Sequence, residues 1–380
     1  MASGPLSGLK VLEFDGIGPG PFGCMLLADL GADVVRIDRK AGRTAHFHEP
    51  RFELTARGKR SLALDLKHPQ GIETCLRLIE KADALVEPYR PGVMERLGLG
   101  PDVALERNPK IVYARITGWG QTGPLAQLGG HDINYIAITG ALAALGPRER
   151  PMAPMNLVGD YGGGGMYLVM GLLAGVFQAR SSGRGQVVDC AMSEGAASLM
   201  TNAYGMYADG AWKLERGVNL LDGGRPNYDT YECADGQWIA VAASEPQFYV
   251  NFRRVLGFDG DPEFDLQRDR RHWATLKEKV KARFKTRTRA EWCALMEGVD
   301  ACFTPVLDMS EAPAHPHNQS RRSFIERDGV TQPAPAPLFS ATPAQIERAP
   351  PTVGQHSLEI LRDWGIPQGD ISRLQAASAI

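Results

Sequence analysis

The chain has few cysteines and none in the spacing of a metal or disulfide site. Its six cysteines are scattered over 380 residues, and no CxxC pair occurs among them. Scattered thiols are typical of reduced proteins rather than of zinc sites or disulfide frameworks. We therefore expect no metal site and a reducing compartment.

Targeting and membrane signals are also missing. The N-terminus, MASGPLSGLKVLEF, lacks the charged start and apolar core of a secretion signal, and the C-terminal AASAI is not a peroxisomal address. Residues 161–177 carry no charge, but six of these seventeen residues are glycine, which favours a buried core helix over a membrane span. The sequence therefore predicts a cytoplasmic protein with no membrane partner.

Neither sign of charge dominates the chain. Its 42 basic and 44 acidic residues leave a net charge of −2, which gives no global attraction to nucleic acid. Residues 268–289 hold ten Lys or Arg, yet Trp273, Leu276 and Val280 recur there at helical spacing. We interpret this stretch as the solvated face of a helix and expect no nucleic-acid partner.

The first half of the chain alternates strand-like and helix-like segments. The predicted strands are LKVLEF, ADVVRID, SLALDL, DALVEPY, KIVYARITG and GQVVDCAM, with helical patterns such as PFGCMLLADLG and PQGIETCLRLIEKA between them. This alternation predicts a large Rossmann-like α/β domain built on a doubly wound parallel sheet.

The pattern changes near residue 190. YDTYECADGQWIAVAAS predicts a hairpin that turns at Asp235-Gly236, followed by helices near 245–256, 272–284 and 288–297 and a closing strand, ACFTPVLDM. A proline-rich return then leads to HSLEILRDWG, a helix expected to pack on the first domain. We predict an α/β domain over 1–190, a helical connector over 191–227, a smaller α+β domain over 228–310, and a return to the large domain over 311–380.

Several cations lie near predicted strand ends. Arg39, Lys67 and Arg90 come at or just after the ends of strands, the edge where open α/β sheets bind ligands. The full set, which also contains Arg57, Lys59, Arg60 and Arg96, is larger than a single anion needs and indicates a polyphosphate ligand. Arg57 and Lys59 can equally be interpreted as ordinary scattered charges on the protein surface.

The segment GIGPGP at 16–21 lies between a strand and a helix, with Asp38 at the end of the next strand. This arrangement resembles a dinucleotide-binding fingerprint. Proline stands where the fingerprint needs its last glycine, however, and Arg39 suits a phosphate better than a ribose diol. A structural turn and a nucleotide-contacting loop both stay open.

Three motifs carry candidate acid/base residues. GHDINY at 130–135 places His131 and Asp132 at a helix start, where Asp132 is expected to accept hydrogen bonds from the first turn. NLVGDYGGGG at 156–165 places Asp160 between a strand and a helix, where glycines admit a ligand and free N–H groups favour negative charge. Glu245, in ASEPQFY, begins another helix and taken alone is structural.

These motifs together resemble the α-methylacyl-CoA racemases of the class III CoA-transferase family. The resemblance rests on GPFGCMLLADLGADVVRIDR, RGKRSLALDLK, GHDINYIAITG, NLVGDYGGGG, SGRGQVVDCAM, YDTYECADGQW and EPQFY, in this order from about residue 5 to the C-terminal helix. It implies an interlocked homodimer in which each chain has a large Rossmann-like and a smaller α+β domain. The implied substrate is a 2-methylacyl-CoA, so CoA belongs to the substrate and no separate cofactor or metal is required.

The resemblance also implies roles for particular residues. His131 and Asp160 match the family's two acid/base groups, and Glu245, from the partner subunit, would orient His131. The residues implied to contact the CoA portion are Arg39, Leu64, Asp65, Leu66, Lys67, Tyr89, Arg90 and Arg96. Those implied to contact the thioester end are Gly130, Asp132, Ile133, Asn134 and Tyr135.

Inversion of an α-carbon explains why two different bases are needed. One group removes the proton on one face, and the other delivers a proton on the opposite face. The nearest alternative is a class III CoA-transferase that uses Asp160 as a nucleophile. An NAD-dependent dehydrogenase built on GIGPGP and Asp38, and a non-catalytic CoA-binding protein, are the further alternatives.

Overall fold

The computed structural model describes residues 4–42 and 47–380, which form eleven strands in this part of the chain. The strands are β1 Lys10–Phe14, β2 Asp33–Asp38, β3 Arg60–Ala63, β4 Ala84–Glu87, β5 Val112–Thr117, β6 Gln186–Ala191, β7 Tyr228–Glu232, β8 Trp238–Ala242, β9 Phe303–Pro305, β10 Phe324–Arg327 and β11 Val330–Pro333.

The helices of the described residues connect these strands. In chain order they are α1 Pro19–Asp29, α2 Pro69–Ile79, α3 Val93–Arg96, α4 Pro101–Arg107, α5 Asp132–Ala137, α6 Ala141–Ala144, α7 Met166–Ser182, α8 Met192–Leu199, α9 Thr201–Ala208, α10 Pro246–Leu256, α11 Trp273–Phe284, α12 Arg289–Met296, α13 Pro316–Arg321, α14 Ser357–Asp363 and α15 Gln368–Ala376. Short 3₁₀ turns cover Pro50–Phe52, Leu54–Ala56, Pro262–Leu266, Arg270–His272 and Ala312–Ala314, and a π-helical segment covers Leu157–Gly165.

The chain divides into two compact units. The first contains the described residues up to Thr139 together with Pro154–Leu199 and Arg322–Ile380, and the second contains Gly140–Ala153 and Met200–Arg321. The first unit therefore includes the C-terminal segment, which returns after the second unit ends.

Six parallel strands form the sheet of the first unit, in the order β3-β2-β1-β4-β5-β6. The chain moves outward from β1 to β3 and then restarts at β4 on the other side of β1. This is the predicted doubly wound α/β architecture, and the order reverses between β1 and β4.

Both faces of this sheet are buried, because successive side chains of a strand point to opposite sides. In β1, Leu12 and Phe14 belong to a core that α2, α14 and α15 cover, whereas Val11 belongs to a second core that α1 and α7 cover. The expectation that HSLEILRDWG packs on the first unit is confirmed, since Ile360 of α14 is fully buried in the first core.

The second unit has its own antiparallel sheet, in the order β7-β8-β9. The predicted hairpin is confirmed: Glu232 pairs with Trp238, and Gly236 in the turn adopts a positive φ of 77°, a conformation that favours glycine. The three predicted helices are α10, α11 and α12, and buried aromatic residues, Phe252, Phe284 and Trp292 among them, form the core.

Two features near the C-terminus were not predicted from the sequence. β10 and β11 form an antiparallel hairpin, and α15 adds Ile371 and Leu374 to the first core. The proline-rich composition hid the hairpin, and only tertiary packing shows which short apolar segments are helical.

One helical stretch of the described residues, Leu157–Ser182, is long and apolar enough to cross a membrane, although half of its most apolar window is buried inside the protein. Length and composition are weak grounds for a span, because core helices also meet them. Leu168, Leu172 and Val176 of α7 lie in the second core, as predicted for a buried helix.

Candidate active site

A cavity of about 790 Å³ lies at the carboxyl edge of the parallel sheet, within the first unit. Gly16 and Ile17 follow β1, Tyr89 and Arg90 follow β4, and Trp119 follows β5, and all five line the cavity. Since the strand order reverses between β1 and β4, the cavity occupies the position where doubly wound folds bind ligands.

His131 and Asp160, the two expected acid/base residues, line this same cavity. They are 29 positions apart in the sequence and lie on different elements: His131 immediately precedes α5, and Asp160 belongs to the π-helical segment. The structure therefore brings together the two residues that the sequence singled out separately.

His131 itself occupies the N-cap position of α5 and is exposed to solvent. Its backbone N–H donates to Oδ1 of Asn134 at 3.1 Å, and its carbonyl accepts the Asn134 N–H at 2.8 Å. These two bonds fix the backbone of His131, while the residue faces the cavity.

The expectation for Asp132 is wrong in one respect. Asp132 is the first residue of α5, as predicted, but its carboxylate does not cap that helix. Instead Oδ2 accepts the backbone N–H of Asp160 at 2.6 Å, 28 residues away, and the residue is buried. Asn134 Oδ1 accepts the N–H of His131, whereas the Asp132 side chain makes this long-range contact instead of capping the helix.

The expectation for Asp160 also needs correction. No strand precedes it within the described residues 154–159, and it lies inside the π-helical segment rather than at a helix N-cap. Its N–H is taken by Asp132, and the next N–H, of Tyr161, donates to the Asn156 carbonyl at 3.2 Å. These two N–H groups are therefore not available to a ligand.

The carboxyl group of Asp160 is partly withdrawn from water, and its pKa is raised above the usual range of aspartate. Burial is the largest cause, and the neighbouring negative charge of Asp132 adds to it. A hydrogen bond from Asn156 and the proximity of His131 act in the opposite direction. A carboxyl in this environment holds a proton at higher pH, as an acid/base group requires.

Three of the four glycines after Asp160 serve packing, whereas the sequence interpretation had assigned the four to ligand approach. A Cβ on Gly163 would lie 2.6 Å from the backbone nitrogen of Ala196, and one on Gly164 would lie 2.8 Å from the Met192 side chain. A Cβ on Gly165 would meet the ring of Phe22 at 2.7 Å. The segment is thus held between α1 and α8 at distances that only glycine permits.

The GIGPGP segment lies beside the catalytic candidates, which favours the ligand-contacting alternative over a purely structural turn. Gly16 and Gly18 line the cavity, and Gly18 has a positive φ of 71°. A Cβ at Gly18 would lie 3.0 Å from Oδ2 of Asp160, so the loop approaches that carboxylate closely. Asp38, by contrast, is buried and bonded to Arg36 and to the Ser61 hydroxyl, which leaves it unavailable to a ribose diol.

The cation set separates into two groups. Arg57 and Lys59 are not surface residues, as the sequence had suggested, but are 3% and 0% exposed. Arg57 pairs with Asp29 at 2.6 Å and Lys59 with Glu13 at 2.6 Å, while Arg60 pairs with Asp33 at 2.7 Å. Their charges are neutralised inside the protein and do not contribute to a phosphate site.

The remaining cations, Arg39, Lys67, Arg90 and Arg96, are exposed. Arg90 lines the cavity, and Arg39 hydrogen-bonds to Tyr89, whose pKa burial raises to about 12. Of this group, Arg90 lies at the cavity and Arg39 lies beside one of its lining residues, Tyr89.

Of the other residues expected to contact the substrate, some line the cavity and some do not. Tyr89, Gly130 and Tyr135 line the cavity. Asp132 lies buried behind it, Ile133 and Asn134 are exposed on α5, and Leu64 to Leu66 follow β3, where Leu64 is buried. Glu245 belongs to the second unit, where it is the exposed N-cap residue of α10 and makes no side-chain capping bond.

Sequence reasoning missed several aromatic residues that line the cavity. Trp119 packs edge-on against Tyr135 with ring centroids 4.9 Å apart, and Tyr161 stacks on Phe22 at 4.2 Å. The position of Trp119, directly after a predicted strand, was a usable signal. Phe52 comes from a 3₁₀ turn that no sequence pattern indicated.

In residues 4–42 and 47–380, no group of three or more His, Cys, Asp or Glu side chains is arranged to hold a metal ion. Proton transfer by the residues that line the cavity is the chemistry that its side chains support.

Fold and site together define a class of protein. A family model for CoA-transferase family III matches residues 6–357, and the chain belongs to that family. This agrees with the parallel sheet and with the cavity at the reversal of strand order.

Individual proteins that resemble this chain narrow the comparison further than the family does. The mouse protein named alpha-methylacyl-CoA racemase is 45% identical, over 98% of this chain and 96% of its own length. The human protein of the same name is 43% identical, over 99% of this chain and 97% of its own. A crystal structure of a hypothetical protein from Mycobacterium tuberculosis, Rv3272, is 28% identical with a TM-score of 0.79, and covers 94% of this chain and 99% of that one.

Proposed function

We propose that the protein interconverts (R)- and (S)-2-methylacyl-CoA thioesters. The observation that carries this proposal is the placement of His131 and Asp160, two different acid/base groups, on one cavity. The names of the mouse and human relatives support both the substrate class and the reaction.

The reaction requires one base and one acid on opposite faces of the α-carbon. One group removes the α-hydrogen as a proton, and the electrons of the broken C–H bond form an enolate with the thioester carbonyl. The other group donates its proton to the opposite face, which forms the new C–H bond and restores the thioester. The raised pKa of Asp160 supports this role, since the group has to hold a proton in half of the cycle.

The enolate oxygen needs hydrogen-bond donors. The Asp160 and Tyr161 N–H groups are already engaged, so we assign this role to the start of α5. The first N–H groups of a helix have no intrahelical partner, and those of Asp132 and Ile133 lie next to His131. Each such donor typically contributes about 3 kcal/mol to transition-state stabilisation.

The CoA portion would extend from the cavity along the exposed cations. Tyr89 and Arg90 line the cavity, and Arg39 adjoins Tyr89. Lys67, Arg96 and the segment Leu64–Leu66 complete the expected contacts. Since CoA is part of the substrate, the proposal includes no separate cofactor.

The active form would be an interlocked homodimer in the cytoplasm, without a nucleic-acid or membrane partner. Glu245 of the partner subunit would orient the imidazole of His131, as a carboxylate does beside a catalytic histidine. Two features support this assembly. The Glu245 side chain is not used to cap its own helix, and α7 exposes Met166, Met170 and Phe177, which are apolar.

The alternative within the family is CoA transfer with Asp160 as the nucleophile. Both reactions use the ionised carboxylate in one step, as a nucleophile or as a base, so the raised pKa of Asp160 does not separate them. The cavity placement of His131 adds a second proton-transfer group, for which transfer chemistry has no evident use.

Incubation of an (R)-2-methylacyl-CoA in D₂O, with a free carboxylic acid added as acceptor, tests the proposal. We expect deuterium at the α-carbon and loss of optical purity, with CoA staying on the original acyl group. His317→Ala, which removes an exposed histidine of the second unit, serves as the control and should match the parent protein. Movement of CoA to the acceptor without α-exchange would favour the transferase instead.

A further inference from the structure

Asp132 is a buried charged residue that substrate contact does not explain. Asp132 is only 6% exposed. Its Oδ2 accepts one hydrogen bond, and its Oδ1 has no hydrogen-bond partner among the described residues. Burying a carboxylate with so few donors is costly, and such a group is kept only for a reason.

The position of this carboxylate indicates the reason. Asp132 follows His131 directly, and its Oδ2 binds the N–H of Asp160 at 2.6 Å. The contact is tight on the other side as well, because a Cβ on Gly159 would lie 2.6 Å from the same oxygen. One carboxylate therefore joins the turn that carries His131 to the segment that carries Asp160.

We propose that Asp132 is a positioning residue for His131 and Asp160. Its buried carboxylate fixes the position of Asp160 relative to His131. The inference rests on the proposed function, in which His131 and Asp160 exchange the α-proton. It assigns the Asp132 side chain a role distinct from contact with the thioester.

The same carboxylate acts on Asp160 through its charge. The negative charge of Asp132 adds to burial in raising the pKa of Asp160, while His131 and the hydrogen bond from Asn156 oppose it. Tyr135, also on α5, is a further ionisable group here: burial is the largest cause of its raised pKa, the charges of Asp160 and Asp132 add to it, and Arg90 opposes it.

Among the residues of α1 and α8 nearest the glycines of the segment are Pro19, Phe22, Met192, Ala196 and Leu199, none of which ionises.

This charge has a predictable effect on the pH dependence. The pair is active when it holds one proton in total, so the acidic limb of the rate profile marks binding of a second proton. Removal of the Asp132 charge lowers the pKa of Asp160 and moves that limb to lower pH. The acidic limb has to shift equally for the two directions of the reaction, because the ratio of their kcat/KM values equals the equilibrium constant at every pH.

Two substitutions separate geometry from charge. Asp132→Asn keeps an oxygen that accepts the Asp160 N–H but removes the charge, whereas Asp132→Ala removes both. Asp189→Asn is the control for the hydrogen bond, since Oδ2 of Asp189 also accepts a loop N–H, that of Gln121 at 2.9 Å, but Asp189 is exposed and is not among the groups that shift the pKa of Asp160. Racemisation, α-deuterium exchange and KM are measured over a range of pH, with thermal unfolding to verify folding.

We expect Asp132→Asn to have the KM of the parent protein. The acidic limb of its rate profile should move to lower pH for both directions of the reaction. Asp132→Ala should lose about 100-fold in kcat, the effect of a displacement near 1 Å in a catalytic group. Asp189→Asn should keep the parent profile.

A parent-like acidic limb in Asp132→Asn would overturn the inference even if Asp132→Ala fails to fold, and so would a parent-like rate in folded Asp132→Ala. The proposed function fails separately, when replacement of His131 or Asp160 leaves racemisation intact.

Discussion

Two groups of basic residues in the first unit look alike in the sequence and serve different purposes in the structure. Arg57, Lys59 and Arg60 are consecutive or nearly so, buried, and paired with carboxylates at 2.6 to 2.7 Å. Arg39 and Arg90 are exposed, and they lie at or beside the cavity.

The difference follows from what surrounds each charge. A buried cation is tolerated only with a partner, and Lys59 has both Glu13 and the carbonyl of Pro21 within hydrogen-bond distance. An exposed cation keeps its hydration and can exchange it for the phosphate of a ligand. Burial, rather than residue type or density of charge, therefore separates the structural cations from those that we propose to bind the ligand.

The largest effect should come from breaking a buried pair. Lys59→Ala leaves the Glu13 carboxyl in the core without its partner, either as an uncompensated charge or after uptake of a proton, and we expect a loss of about 3–5 kcal/mol in the free energy of unfolding. Urea denaturation measures the change. Lys67→Ala, at an exposed lysine only eight positions away, should change the free energy by less than about 0.5 kcal/mol. Equal losses in the two variants would remove the distinction.

For the exposed cations we expect a smaller effect, on ligand binding rather than on stability. Arg90→Ala should weaken CoA binding about tenfold, the typical value of one charged hydrogen bond, without changing the free energy of unfolding. Titration calorimetry with CoA provides the measurement. Lys110→Ala is the control, because Lys110 is exposed just before β5, at the opposite edge of the sheet from the cavity. Weakening of similar size at Lys110 would mean that general charge, and not position, attracts the ligand.

The smallest effect concerns the stability cost of Asp160. Its pKa is higher in the folded protein than in the unfolded chain, so the folded state loses stability as pH rises through the interval between the two values. Asp160→Asn should remove this cost and raise Tm at neutral pH by roughly 1–3 °C. The gain should disappear below about pH 4, where aspartate is protonated in the unfolded chain as well.

Scanning calorimetry at several pH values follows this change. Asp259→Asn, which removes an exposed carboxylate of the second unit, should show no such gain. A stability gain for Asp160→Asn that is independent of pH would contradict the assigned cause.

The sheet was predictable because its strands are buried on both faces and read as short apolar runs between helices. The hairpin at Asp235-Gly236 was predictable because its turn needs a residue that tolerates positive φ. The hairpin β10–β11 was not, since its pairing depends on partners that local composition does not reveal.

Within the site, the sequence singled out His131 and Asp160 through their motifs but misjudged how they are held. The four glycines after Asp160 suggested ligand approach, whereas contacts with Ala196 and Met192 explain two of them. Asp132 looked like a helix cap, whereas it binds a backbone N–H 28 residues away. Long-range contacts of this kind leave no local signature in a single sequence.

The central claim is that His131 and Asp160 act as two separate bases on opposite faces of one carbon. The most direct measurement is α-proton exchange in D₂O with each enantiomer of a 2-methylacyl-CoA, in His131→Ala and in Asp160→Asn. Each variant should lose racemisation, yet exchange the α-proton of one enantiomer with retention of configuration, and the two variants should favour opposite enantiomers. Racemisation that persists in either variant, or the same enantiomer exchanged by both, would contradict the account.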